Sequence, residues 1–481
     1  MRILIATSEA VPYVKTGGLG DVAGALVSEF RRLNVDASLI LPLYRTIRDG
    51  AALHRCGIPL SIRMGGSSFD GELWASDESA APRAYFVECA RLFGRPELYG
   101  TSAGDYPDNA LRFAFFSRAV LEACAGLDMR PDVIHCNDWQ TGLLPLYLKD
   151  HYRDRFRKTT TLFTIHNIGY QGIFPPSALS TAGIGKDYFH PEGIEFYGRV
   201  NFMKAGLLFS DLITTVSPTY AEEILRKEFG FGLEGVLGKR KDDLYGVMNG
   251  IDYQEWNPAT DAEIAAGYGP GDAGGKKACR KALLKETGLG NPNAPLFGVV
   301  SRFSSQKGID LISDAIDELV GLGLNLVVLG KGEAYYQNLL TGASRRNPGR
   351  VFARIGFEER LARRIYAGCD FFLMPSSYEP CGLGQLIALK YGTVPVARNT
   401  GGLADSIRDY DHLRGRGTGF LFDDFTPSAM KDAIKRALCL FGREKERETV
   451  VRDGMREDFS WEKPAGAYLA LYEKALGKAG G

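Results

Sequence analysis

Met1-Arg2-Ile3-Leu4-Ile5-Ala6-Thr7, followed a few residues on by Lys15-Thr16-Gly17-Gly18-Leu19-Gly20-Asp21, is a short apolar run, a glycine turn and the start of a helical pattern. Four consecutive apolar residues suit a buried strand, and glycines let the chain turn sharply out of it. The same order returns at Leu296–Val300 followed by Ser301-Arg302-Phe303-Ser304-Ser305-Gln306-Lys307-Gly308. It returns again at Phe371–Met374 followed by Pro375-Ser376-Ser377-Tyr378-Glu379-Pro380-Cys381-Gly382-Leu383-Gly384-Gln385. Strand, glycine turn and helix in repetition predict βα units around parallel sheets.

Working outward, the first half predicts strands at Ile3–Ala6, Ser38–Leu41, Val133–His135, Leu162–Ile165, Leu212–Thr215 and Tyr245–Met248. The second half predicts them at Leu296–Val300, Leu324–Leu329, Phe352–Ile355, Phe371–Met374 and Val394–Ala397. Helices are predicted at Asp21–Leu33, Asn109–Ala125, Tyr220–Lys227, Gly308–Leu322, Glu358–Ala367, Leu383–Tyr391, Pro427–Leu440 and Ala465–Leu476. Glycine and proline concentrate between the halves, so residues 249–275 read as a linker. The expectation is two α/β domains, 1–248 and 276–458, with 459–481 packing back on the first. Ligands of such folds bind beyond the carboxyl ends of the strands, which places them in a cleft between the domains.

Composition narrows the function. The 481 residues carry 58 Lys+Arg against 58 Asp+Glu, so nothing in the whole-molecule charge attracts nucleic acid or an anionic membrane. The eight cysteines form no CxxC pair, which argues against a disulfide framework or a zinc site and for a reducing compartment. The apolar start is too short for a signal peptide, and no run reaches a membrane span. A cytoplasmic, soluble protein is expected.

The glycine loops carry the chemistry. Lys15 beside Gly17 and Gly18 offers a point charge at a helix start, yet the spacing fits neither the P-loop nor the dinucleotide fingerprint. Alone, that loop reads first as an ordinary turn. Arg302 and Lys307 are two cations five apart on a strand-end loop, a spacing suited to a diphosphate, and their place matches that of Lys15 in the first half. Glu379 follows a third strand, where a cleft-facing carboxylate and a helix cap are equally good readings. Two further strand ends contribute His135-Cys136-Asn137-Asp138-Trp139 and Thr164-Ile165-His166-Asn167-Ile168-Gly169-Tyr170-Gln171-Gly172. Trp139 and Tyr170 suit stacking on sugar faces, with core packing the ordinary alternative. Asp409-Tyr410-Asp411 is a lone DxD and weak evidence for metal.

Together these motifs resemble the bacterial glycogen synthase and plant starch synthase family. KTGGLGDV at 15, YPDN at 106, HCNDWQ at 135, TIHNIGYQG at 164, TVSPTYAEEI at 215, GLEGVL at 232, NGIDYQEWNP at 249, SRFSSQKGIDL at 301, PSSYEPCGLGQ at 375 and NTGGLADSI at 399 carry the likeness over the whole chain. The resemblance implies a GT-B glycosyltransferase: two Rossmann-like domains with parallel sheets, the first on the acceptor side and the second on the donor side. It implies glucose transfer from ADP-glucose to the non-reducing 4-hydroxyl of an α-1,4-glucan such as glycogen, with retention, without cofactor or metal. It makes Lys15, Arg302, Lys307, His166 and Glu379 catalytic. On the donor side it adds Gly17, Gly18, Asp21, Asn249, Phe357, Cys381, Gly382, Leu383 and Gly384. On the acceptor side it adds Asp138, Trp139, Asn167 and Tyr170. No nucleic-acid or membrane partner is implied, and oligomeric state is left open.

The chemistry of such a transfer agrees with these residues. The departing nucleoside diphosphate gains charge, which two fixed cations stabilise in place of Mg²⁺. A double displacement needs a second carboxylate about 5 Å from the first across the sugar, and the sequence shows no clear candidate, which favours same-face transfer. Two positions depart from the family: Gly384 stands where relatives commonly carry Thr, and Ile387 where the wider fold family has a second Glu. Three rival readings remain: a related transferase with a small-sugar acceptor or UDP-glucose donor, a non-catalytic glucan-binding protein, and, more distantly, a dinucleotide oxidoreductase.

Overall fold

The computed structural model describes residues 1–77, 79–80, 82–101 and 104–479. The chain forms two compact units. The first comprises Met1–Val216, Ala221–Val247 and Trp461–Gly481. The second comprises Ser217–Tyr220 and Met248–Ser460.

The first unit is built on a nine-stranded sheet. Its parallel part runs Leu244–Gly246, Leu212–Thr215, Thr160–Ile165, Val133–Asn137, Arg2–Ala6, Asp36–Pro42 and Ala84–Glu88. Ile3 pairs with both Ala37 and Val133, which puts the opening strand at the centre of the sheet. An antiparallel pair, Ser67–Ser76 and Leu53–Met64, extends the far edge. Sequence reading assigns no strand there, and the reason is physical. This edge pair is half exposed, so it lacks the all-apolar run of a buried strand, and a bulge carrying Gly57 and Pro59 interrupts it. The first helix is Gly18–Arg32, three residues longer at its start than its pattern predicts. Gly20 and Gly24 let it lie against the preceding loop, because a Cβ on Gly20 would fall 2.7 Å from that of Lys15. The predicted helix Tyr220–Lys227 is instead Pro218–Glu223, with proline in the first turn. The last helix, Glu462–Ala479, buries Tyr468 and Tyr472 against the His135 ring.

The second unit holds a six-stranded, all-parallel sheet ordered Val351–Ile355, Asn325–Gly332, Leu296–Phe303, Phe371–Met374, Val394–Arg398 and Phe420–Phe422. Both faces are covered. Phe297, Leu326 and Val328 join one apolar cluster, while Leu296, Val327 and Leu329 join the other. Alternate residues face opposite ways, so both sets must be apolar, and the strands read as unbroken apolar runs. Three helices without a strong apolar signal, Ala273–Thr287, Ala334–Arg346 and Glu444–Arg456, complete the layers. Segment 249–275 is folded onto this unit: Trp256 packs under the Arg363 guanidinium at 4.3 Å, and the Tyr268 hydroxyl donates to the Tyr391 carbonyl at 2.8 Å. Among the described residues, no helix is long and apolar enough to cross a membrane.

Candidate active site

In the first unit, the loop after the opening strand closes on a buried carboxylate. Glu9, only 4% exposed, accepts hydrogen bonds from the Thr16 and Gly17 amides, the latter at 3.2 Å. It also accepts from the Thr16 hydroxyl at 2.7 Å and the Tyr99 hydroxyl at 2.5 Å. The Lys15–Gly18 turn is therefore wrapped around Glu9. Lys15 and Asp21 are half exposed and pair at 3.1 Å, an ion pair weak enough in water for an anion to displace. Sequence reading missed Glu9 because two of its four partners are backbone amides, which leave no motif, and a third, Tyr99, lies 90 residues away. A lone acid in the apolar stretch 9–14 was the one available signal.

Asp138 follows the strand Val133–Asn137 with φ of 55° and ψ of −178°, a region that residues other than glycine rarely enter and that costs about 1–3 kcal/mol. Its reward is a staple between two strand ends. The Asp138 carboxyl accepts the His166 amide at 2.8 Å and also takes the Asn167 amide. Burial raises this carboxyl from 3.8 to about 7, against the lowering effect of those two amides. The His166 ring sits with Nε2 2.8 Å from Asn137 Oδ1, and Asn137 spends its own amide hydrogen on the Ala6 carbonyl. That network assigns the proton to Nε2 and leaves Nδ1 as an acceptor. Burial lowers His166 to about 3, so at neutral pH the ring is uncharged. It is a hydrogen-bonding group there, not an acid. Asn167 Oδ1 closes its own turn on the Gly169 amide at 3.0 Å, and Tyr170 is 51% exposed.

Trp139 corrects one expectation. It is buried, with Phe113 edge-on at 4.9 Å and Phe174 tilted at 5.6 Å, and Gly172 lies against its indole. The ring is core packing and offers no open face to a sugar.

In the second unit, two strand-end loops meet. The amide of Ser377 donates to the Gln306 carbonyl at 2.8 Å, and Gly308, with φ of 67°, sits so close to the Pro375 carbonyl that a side chain would collide with it. This junction brings Lys307 Nζ to 2.5 Å from Glu379 Oε2, which also accepts from the Ser376 hydroxyl at 2.9 Å. Glu379 is 4% exposed. Its backbone is held too, since the Gly402 amide of the NTGGL motif donates to the Glu379 carbonyl at 3.1 Å. Arg302 is exposed near the end of the strand Leu296–Phe303.

Cys381 is buried, and burial pushes its thiol up to about 12, so it is no nucleophile. The N–H groups of Asn249 face that sulfur, while Asn249 Oδ1 is buried without a hydrogen-bond partner. An unmet acceptor of this kind suits a ligand N–H or O–H. Gly382, with φ of 74°, turns the chain into Leu383 and the helix Gly384–Lys390. The Gln385 side chain holds that turn through the Cys381 and Gly382 carbonyls. A Cβ on Gly384 would meet the Phe372 ring at 3.1 Å, so glycine here goes with a bulky neighbour. Ile387 is core. Phe357 is 79% exposed after Gly356, which excludes a core role for it. The DxD aspartates are spent on protein: Asp409 pairs with Arg436 at 2.8 Å, and Asp411 caps the Leu413 amide.

The starch synthase catalytic domain family matches residues 2–239, and glycosyl transferases group 1 match residues 282–449. A glycogen synthase from Thermodesulfovibrio yellowstonii is 43% identical over 99% of this chain and 98% of its own. One from Geotalea daltonii is 46% identical over 100% of both. Among solved structures, the catalytic domain of starch synthase IV from Arabidopsis thaliana, bound to ADP and acarbose, matches with TM-score 0.91 at 32% identity over 99% of each chain. A sucrose-phosphate synthase from Thermosynechococcus elongatus shares the fold, at TM-score 0.64 and 17% identity, with 99% of each chain covered. Two parallel-sheet units with cation-bearing strand-end loops, and these likenesses, define a glycosyltransferase of the GT-B fold. Within that class, the chain belongs to the glycogen synthase and starch synthase family.

Proposed function

We propose that this enzyme transfers glucose from ADP-glucose to the non-reducing 4-hydroxyl of an α-1,4-glucan, with retention, and releases ADP. The observation that carries the reading is the Lys307–Glu379–Ser376 cluster beside the Arg302 strand end. Arg302 and Lys307 take the diphosphate, whose charge grows as the glycosidic bond breaks. Glu379 contacts the transferring glucose, and the Cys381–Gly384 amides with Asn249 complete the donor contacts. Phe357 stacks on the base. Lys15, the Gly17–Gly18 turn and Asp21 are further donor contacts. Asp138, Asn167 and Tyr170 serve the acceptor, and the His166 backbone carbonyl stabilises positive charge at the anomeric carbon. The acceptor hydroxyl attacks from the face the diphosphate leaves, and its proton passes to a phosphate oxygen. The reaction needs no metal, and the protein works in the cytoplasm.

A small-sugar acceptor is the competing reading. Assaying transfer with glycogen against monosaccharides separates the two: polymer elongation supports the proposal, and transfer confined to monosaccharides overturns it.

A further inference from the structure

Six large hydrophobic residues of the first unit are exposed among those described, and four of them, Tyr170, Ile173, Tyr197 and Phe231, are tied to one small region. Ile173 lies in, and Tyr197 in a turn of, a three-stranded antiparallel sheet of Ile173–Phe174, Arg199–Asn201 and Glu195–Phe196. The Tyr197 ring lies edge-on to Phe196 at 4.7 Å. A Cβ on Gly232 would come within 3.3 Å of the Tyr197 ring and 2.9 Å of Phe196, so the chain beside Phe231 presses against this turn. The buried Gln171 side chain donates to the Phe231 carbonyl at 3.0 Å and accepts from Asn201 at 2.6 Å. One residue before Gln171, the Tyr170 amide donates to the Asn167 carbonyl. The aromatic patch thus continues directly from the His166–Asn167 strand end.

Backbone conformation sets these rings apart. Six residues other than glycine have positive φ among those described, and four of them are Asn or Asp, which tolerate that region. The other two are Tyr197, at 49°, and Phe231, at 51°. A turn with only a structural task is better served there by Asn or Gly. Tyr197 is 82% exposed and Phe231 42%, so burial does not repay the strain either.

We infer that Tyr197 and Phe231, with Tyr170, form a stacking platform for the acceptor: an uncharged α-glucan chain whose apolar C–H faces lie on the rings. This rests on the reading of the acceptor as a glucan. Rings offer a broad apolar face with little rotamer entropy to lose, and a rigid turn lowers that cost further. Continuity with the His166 strand end extends the acceptor contacts along the polymer, beyond the reacting sugar.

The test uses the full chain with Tyr197→Asn, Phe231→Asn and the double variant, since Asn suits the backbone at both positions and the fold survives. Retardation in native gels containing glycogen, without donor, reads binding apart from catalysis. The double variant should bind glycogen about tenfold more weakly and raise the glycogen KM alike, the size expected from two lost ring contacts. The ADP-glucose KM and the rate on maltose should stay within about twofold of the parent on the same argument. Unchanged retardation overturns the platform, as does a parent protein that glycogen does not retard. So does a change from oligomer to monomer in the variant with glycogen binding intact, which would make the face a contact between copies of the chain. A parent that glycogen retards but that transfers no glucose overturns the transfer reading and leaves the platform standing.

Discussion

Lys307 and Arg302 carry the same charge on the same loop, yet the structure separates their consequences. Lys307 is the partner of a buried carboxylate, whereas Arg302 is exposed. Removing one member of a buried pair strands the other, typically at about 3–5 kcal/mol. Arg302→Ala and Lys307→Ala should each slow glucosyl transfer about 10²–10³-fold, the usual effect of one lost preorganised charge. Lys307→Ala should also lower the melting temperature. Parental activity in either variant would reduce the loop to a turn. Asp138 is a second residue with a definite sign. Its carboxyl is raised from 3.8 to about 7, so the folded protein holds a proton that the unfolded chain releases between those values. The stabilising contribution is full below about pH 3.8 and is lost as pH rises through about 7. His135 and His166, lowered to about 3 by burial, act the other way and cost stability as pH falls below 6.5. Comparing unfolding of the parent with Asp138→Asn isolates the carboxyl. The parent should gain on the variant as pH falls from 7 to 4, and a constant difference would refute the assignment.

At the scale of elements, the Lys15–Gly18 turn depends on Glu9 more than on its own glycines. Glu9→Gln keeps the shape but aims an N–H₂ group among donors that need an acceptor. Hydrogen bonds to a charged group are worth about 1.5–3 kcal/mol, so the ADP-glucose KM should rise about tenfold or more while the glycogen KM holds. Glu9→Asp should recover part of the loss. If both variants keep the parental ADP-glucose KM, the turn does not need its anchor. The same contrast explains what was legible in advance. Strands such as Phe371–Met374 and Val394–Arg398 are apolar on both faces and announce themselves, as do the glycine turns behind them. The hairpin Leu53–Ser76 is half exposed, and its Gly57 and Pro59 argue locally against a strand that tertiary pairing nonetheless makes. Glu9 and the Asp138 staple work through backbone amides of other segments, which no spacing rule records. For Trp139 the choice between sugar stacking and core packing is open in the sequence, because Phe113 and Phe174, which pack on it, lie far from it along the chain.

For the whole molecule, the matter is which sugar nucleotide is turned into polymer. Phe357 is the physical candidate for choosing the base. It is a largely exposed ring at a strand end, and stacking on a base is worth about 1–3 kcal/mol, with adenine overlapping more than uracil. Phe357→Ala should raise the ADP-glucose KM about tenfold on that scale, and an unchanged value would place the base elsewhere while leaving glucosyl transfer intact. The measurement that bears most directly on the account is incubation of the parent protein with glycogen and labelled ADP-glucose or UDP-glucose, without added metal, followed by counting of polymer-bound label. Incorporation from both donors at rising concentrations gives kcat/KM for each. The account predicts label in glycogen and a clear preference for ADP-glucose. No label in the polymer from either donor would contradict it, and equal or UDP-favouring kcat/KM values would contradict the donor choice.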